Sequence, residues 1–342
     1  MTWTPQQKSK KQEEVKVLTE EIKYKTIDLK NKFGLNLAII GQHTRGKSTL
    51  AGTFGFFNSK YVNKLDPEKF PNTIKLLKGG YMPEVEKVQI LDLDNGYEKA
   101  SSRGSFKNIM KPLFEDDIVE IKALYIPERQ ENIEDGEVFD SNIKELEKAK
   151  REIETYIKYA CKHNGPEVLF IIDSMSSYEE VLNNRFKILF EKVANLPSLA
   201  STIDMKKLNQ AFWTIRNGWW NEIMKTKRGY PGWQIDIYKA TATLDWVKET
   251  QKKEGKPVTQ YHIQWGSPNN APLFNLDQVY FLHRDVDDLP YVDLKEGRYK
   301  SQNKADNHNI RYELKKRNAG LILIEHMAPY LMEEIESDDE MW

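Results

Sequence analysis

The sequence predicts an α/β fold with a mainly parallel central sheet, helices on both faces and an antiparallel extension towards the C-terminal side. Three observations carry that expectation. Strand-like apolar runs alternate with helical or loop segments, as in an α/β sheet: "LNLAIIG" (35–41), "KVQILDLD" (87–94), "IVEIKALYI" (118–126) and "EVLFIIDS" (167–174). The first run leads directly into a glycine-flanked polar loop, followed by "KSTLAGTFGFF" (47–57), which can start a helix. After a longer middle section come "TQYHIQWG" (259–266), "QVYFLHRD" (278–285), "IRYELKKR" (310–317) and "LILIEHM" (321–327), and the last three lie close enough to be antiparallel neighbours.

Residues 1–32 are rich in Lys, Glu and Gln, with Val15, Leu18, Ile22 and Ile27 at loosely helical spacing, which predicts a charged helical arm. Residues 33–330 are expected to form the main domain, and 331–342 an acidic tail ending in Met341 and Trp342. That tail is either a solubilising segment or a tip that docks a protein partner. An acidic loop, "ERQENIEDGEVFDSN", occupies 128–142.

Bulk composition narrows the classes. The 342 residues carry a net charge of −1, so no global basic field advertises nucleic acid and any such site must be local. The single cysteine, Cys161, excludes an internal disulfide framework and fits a reducing cytoplasm. The six histidines show no zinc-type spacing. No signal-peptide core and no run of transmembrane length is visible, so no membrane role is expected.

The chemistry starts at "GQHTRGKST" (41–49), which fits G-x-x-x-x-G-K-[ST]. A polyphosphate needs many donors close together, and a loop between a strand and a helix N-terminus supplies them. Gly41, Gln42, His43, Thr44, Arg45, Gly46, Lys47, Ser48 and Thr49 form the expected cradle. Lys47 would reach the β and γ phosphates, and the Ser48 hydroxyl would ligate Mg²⁺. Asp173, at the end of an apolar strand, is the best-placed carboxylate to hold the same Mg²⁺; alternatively it caps the next helix. Asp94 is the candidate that orients the attacking water, while Asp92 should face the other side of a regular strand; alternatively "DNG" (94–96) is a polar turn after the strand. Lys315 and Arg317 end a run before a glycine turn, where cations suit a γ phosphate across a subunit interface.

The stretch "FWTIRNGWWNEIMKTKRGYPGW" (212–233) holds four of the eight tryptophans. Trp213, Trp220 and Met224 follow helical spacing, as do Phe212, Trp219 and Ile223, which reads as a core face. Cations beside aromatics also suit single-stranded nucleic acid. Lys225, Lys227, Arg228 and Tyr230 are the expected contacts with single-stranded DNA.

Taken together, these motifs resemble the RecA-like P-loop ATPase superfamily, which includes the RecA and RadA recombinases, DnaB-type helicases and phage RecA-like annealing-associated ATPases. "GQHTRGKS" looks like the Walker A loop and "LFIIDSMSS" like the Walker B strand. "LDLDNG" is similar to the strand carrying the catalytic acid, with Asp94 where a Glu is usual. "LKKRNAG" resembles the K-x-R-x-x-G turn, with Lys315, Arg317 and Gly320 on matching positions. The resemblance implies ATP and Mg²⁺ as cofactors, hydrolysis linked to DNA recombination, annealing or replication, and a homo-oligomeric ring or filament. It also implies a polar γ-phosphate sensor after the fifth strand. Gln264 is the preferred position, and the neighbourhood of Lys239 the alternative. The Lys/Asn-rich, low-Cys composition suits a virus or mobile element working in a host cytoplasm.

Other readings share the loop. A GTPase would use "NKAD" (303–306), but no strand-like run precedes it and D-x-x-G is missing near 92–96. A small-molecule kinase would need an Arg-rich lid, and no compact one is visible. A nucleotide-dependent interaction module without turnover is the non-enzymatic alternative.

Overall fold

The computed structural model describes residues 34–41, 46–94, 96–97, 105–126, 136–194, 205–243, 260–263, 276–284, 287 and 289–340. The expected N-terminal arm, loop residues Gln42, His43, Thr44 and Arg45, and Gln264 lie outside them. Lys32–Trp342 forms one compact unit.

The strands are β1 (Asn36–Gly41), β2 (Lys87–Asp92), β3 (Val119–Ala123), β4 (Val168–Asp173) and β5 (Gln234–Thr243). They are followed by β6 (Gln260–Ile263), β7 (Gln278–Arg284), β8 (Pro290–Gly297) and β9 (Ile310–Arg311). Among the described residues they make one nine-stranded sheet, ordered β3-β2-β4-β5-β1-β7-β8-β9, with β6 paired to β5. From β3 to β7 every neighbouring pair is parallel. β8 and β9 continue antiparallel, and β6 is antiparallel to the end of β5. This is the expected α/β architecture with an antiparallel C-terminal side.

The helices are α1 (Lys47–Gly52), α2 (Ser59–Val62), α3 (Pro71–Lys78), α4 (Ser105–Glu115), α5 (Gly136–His163), α6 (Met175–Ala194), α7 (Met205–Lys227) and α8 (Ala319–Glu340). A 3-10 segment, Thr53–Phe57, continues α1. Strand alternation divides the core in two. Leu37 and Ile39 of β1 and Leu169 and Ile171 of β4 face a cluster with α1, α4 and α8. Ala38, Ile40, Phe170 and Ile172 face the other cluster, with α5, α6 and α7. Parallel strands buried on both faces read as continuous apolar runs, which is why β1 and β4 are legible in sequence.

Four segments depart from expectation. Residues 136–142 of the expected acidic loop begin α5, and the rest of that loop lies outside the described residues. "LILIEHM" is helical, not a strand: Leu323, Ile324, Met327, Ala328 and Leu331 are all buried at helical spacing, so the periodicity extends beyond the run itself. The same helix continues to Glu340, across the expected start of the acidic tail at 331. Only Ile310–Arg311 of "IRYELKKR" is a strand, and Leu314–Lys316 is a 3-10 turn. Two strands escape the sequence reading. β5 is interrupted by Asp236 and Lys239, and β8 opens on Pro290.

Gly320 shows a close approach. A Cβ there would lie 3.0–3.2 Å from Phe54 atoms, and its N–H donates to Thr53 Oγ1 at 2.9 Å. The glycine of the "KKRNAG" segment therefore lets the start of α8 pack on the segment behind α1. Among the described residues, no helix is long and apolar enough to cross a membrane.

Candidate nucleotide site

Parallel strands deliver their C-terminal ends to one edge of the sheet, where α/β proteins place ligands. Here that edge aligns Gly41 of β1 with Lys239 of β5 and Leu282 of β7, and Asp92 of β2 with Asp173 of β4. Gly46 enters α1 with φ of 92°, a left-handed conformation that favours glycine. Its carbonyl accepts the Leu50 N–H at 2.9 Å, which starts the helix.

Lys47, Ser48 and Thr49 follow on the first turn, with Lys47 and Thr49 buried. The Ser48 hydroxyl donates to Asp173 Oδ2 at 2.5 Å, joining residues 125 positions apart. Burial pushes the Asp173 carboxyl up to about 6; the Ser48 hydrogen bond opposes this, and the charges of Asp94 and Asp92 reinforce it. Burial lowers the Lys47 ammonium, against the attraction of Asp173 and Asp94. The sheet thus gathers an ammonium, a hydroxyl and a carboxylate at the loop.

Asp92 and Asp94 separate as strand geometry requires. Asp92 is fully buried and accepts the backbone N–H groups of Asp94, Gly96 and Tyr97 at 3.1, 3.2 and 2.9 Å. It caps the loop after β2 and sets the position of Asp94. The Asp94 carboxylate accepts from Ser177 Oγ, from Ser174 Oγ at 3.3 Å and from Lys239 Nζ at 3.0 Å. Lys239 Nζ also reaches Ser177 Oγ at 3.0 Å, and its backbone N–H donates to Ser176 Oγ at 2.9 Å. The "SMSS" run after Asp173 therefore orients the second acid and β5 at Lys239.

Two residues join the site that the motifs did not single out. Tyr97 is buried with its hydroxyl beside Ser48 and Asp173. Arg284, at the end of β7, has Nη2 3.8 Å from where a Cβ on Gly46 would lie, and Leu314 Cδ1 is 3.5 Å from that point. The turn containing Lys315 and Arg317 thus flanks this chain's own loop. Arg317, with φ of 57°, is exposed and donates to the Asn108 carbonyl at 3.3 Å. Among the described residues, no group of three or more His, Cys, Asp or Glu side chains is arranged for a metal ion.

The expected nucleic-acid contacts split. Lys225 and Arg228 are exposed, whereas Lys227 and Tyr230 are buried, which corrects their assignment as surface contacts. Lys227 forms a buried ion pair with Asp236 of β5. The Tyr230 hydroxyl donates to the Val168 carbonyl at 2.8 Å. Burying a cation requires a charged partner, and the sequence does not reveal that Asp236 is that partner. Lys227→Met is expected to destabilise the fold by about 3–5 kcal/mol, measured as a lower denaturant midpoint, because it strands Asp236. Adding Asp236→Leu should recover most of that loss. Arg216 is likewise buried, bonded to Glu179 Oε1 and Asn183 Oδ1, each at 2.8 Å. Trp220, Ile223 and Met224 are core, and Trp213 is 38% exposed.

No family model matches the chain, and no curated protein matches its sequence.

Proposed function

We propose that this chain binds ATP with Mg²⁺ and hydrolyses it, as a RecA-like P-loop ATPase acting on DNA. One observation carries the reading: the loop residues Lys47 and Ser48 meet Asp173 and Asp94 at the C-terminal edge of a parallel sheet. Ser48 and Asp173 offer hard oxygen donors aimed at each other, which fits Mg²⁺. When bound, the ion would supply positive charge at the phosphate oxygens.

The chain's own groups have distinct tasks. Lys47 places an ammonium where charge develops on the γ phosphate. Asp94 orients the attacking water and takes its proton. An Asp reaches less far than a Glu, but Ser174, Ser177 and Lys239 hold this one in a defined position. The ion pair with Asp94 favours Lys239 over Gln264 as the γ-phosphate sensor. Arg317 is exposed on a turn beside this chain's own loop; in a ring or filament, Lys315 and Arg317 would serve a neighbouring subunit's phosphate instead. The GTPase alternative gains no support from "NKAD", because Asn303 and Asp306 bond each other at 3.1 Å and Asp306 accepts from Ser301 at 2.9 Å.

Steady-state ATP hydrolysis across protein concentration, with and without single-stranded DNA, tests the reading. Stimulation by DNA, with a rate per subunit that rises with concentration, is expected. Hydrolysis indifferent to nucleic acid at every salt concentration would reject the DNA role. Lys225→Glu with Arg228→Glu should weaken the stimulation and flatten its salt dependence by about two phosphate contacts.

A further inference from the structure

We infer that Tyr97 is a positioning residue of the metal site, its hydroxyl placed to hydrogen-bond a water of the Mg²⁺ shell beside Ser48 and Asp173. The inference rests on the nucleotide-site reading above.

Tyr97 is 1% exposed, and its hydroxyl meets no group in good hydrogen-bond geometry among the described residues, although Ser48 and Asp173 stand beside it. A buried hydroxyl without a well-placed partner is costly and uncommon, so its retention calls for a reason. Packing does not supply one. The backbone N–H of Tyr97 is held by Asp92 at 2.9 Å, and its ring meets Phe106 edge-on at 4.9 Å. A phenylalanine would keep both contacts. The oxygen is the unexplained atom, and it lies beside the hydroxyl and carboxylate proposed to hold the ion.

Mg²⁺ keeps several of its waters and takes only one or two protein ligands, so its hydration shell needs partners in the protein. A phenol hydroxyl can accept from one oxygen and donate to another. The loop cap at Asp92 thus orders Asp94 and Tyr97 together, one towards Ser177 and Lys239, the other towards the metal pair.

The test compares wild type with Tyr97→Phe by Mn²⁺ titration in the presence of ADP, read by electron paramagnetic resonance. ADP affinity in EDTA and the thermal midpoint are measured alongside. Half-saturation is expected to need about tenfold more Mn²⁺ in the variant, a typical effect of losing an outer-shell partner. ADP affinity in EDTA should not change, and the midpoint should hold or rise. An unchanged Mn²⁺ requirement would overturn the inference and leave Tyr97 a packing residue. Equal weakening with and without metal would also overturn it. If wild type itself binds no Mn²⁺–ADP, the nucleotide-site reading fails first, an outcome separate from a wild type that binds and a variant that binds equally.

Discussion

Lys47→Ala is expected to lower ATP hydrolysis at least about a hundredfold, the scale of removing one preorganised charge-stabilising group. Folding should barely register the change. Burial disfavours the Lys47 charge while Asp173 and Asp94 favour it, and the two effects oppose each other in the folded protein. The variant should therefore keep its unfolding midpoint within a few degrees while losing turnover. Asp173 should respond in turn: without the neighbouring ammonium, its carboxyl rises further. A Lys47→Ala protein that turns over at the normal rate would mean that "GQHTRGKST" is a glycine-containing turn and nothing more.

Asp173→Asn is expected to abolish Mg²⁺-dependent hydrolysis and at the same time to stabilise the metal-free protein. The sign follows from linkage. Burial raises the Asp173 carboxyl from its ordinary 3.8 to about 6. Between those values the folded state holds a proton that the unfolded state has released, so stability falls as pH rises through this window. Above about 6 the full penalty remains, up to about 3 kcal/mol for a shift of this size. The Asn variant lacks that penalty, and its thermal midpoint at pH 7.5 should exceed that of wild type. Metal binding runs the other way, because it needs the ionised carboxylate. Mg²⁺-dependent nucleotide binding by wild type should strengthen from pH 5 to 7, and in Asp173→Asn both the binding and its pH dependence should disappear. An Asn variant less stable than wild type at pH 7.5 would show that Asp173 serves the fold rather than the site.

Much of the sheet is legible in the sequence because its central strands are buried on both sides. β1 and β4 are largely apolar runs; β4 ends on Asp173 and β1 leads through Gly41 into the polar loop, and the parallel arrangement must deliver both ends to the same edge. The approach of Ser48 to Asp173 follows from that logic alone. β5 obeys the same physics but hides it. Asp236 interrupts its apolar character, and only the folded chain brings Lys227 to neutralise it. With β5 obscured, Lys239 is no more than a secondary sensor candidate, although it lies level with Gly41. Tyr97 is similarly hidden, since "DNGY" reads as a polar turn until Asp92 is seen to gather the loop's N–H groups. Lys227 and Tyr230 mislead for the opposite reason: cations beside aromatics suggest a surface, and their long-range partners Asp236 and Val168 place them inside. The densest apolar stretch of α8 is strand-like taken alone, and its helical period emerges only because the buried positions continue to Leu331.

The central claim is that Lys47, Ser48 and Asp173 together hold a magnesium nucleotide. Equilibrium titration of wild type, Lys47→Ala and Asp173→Asn with a fluorescent ATP analogue, in Mg²⁺ and in EDTA, tests it most directly. Saturable binding by wild type that Mg²⁺ strengthens, weakened binding by Lys47→Ala, and loss of the Mg²⁺ enhancement in Asp173→Asn are expected. Absence of binding by folded wild type, or binding that all three proteins share equally in both conditions, would contradict it.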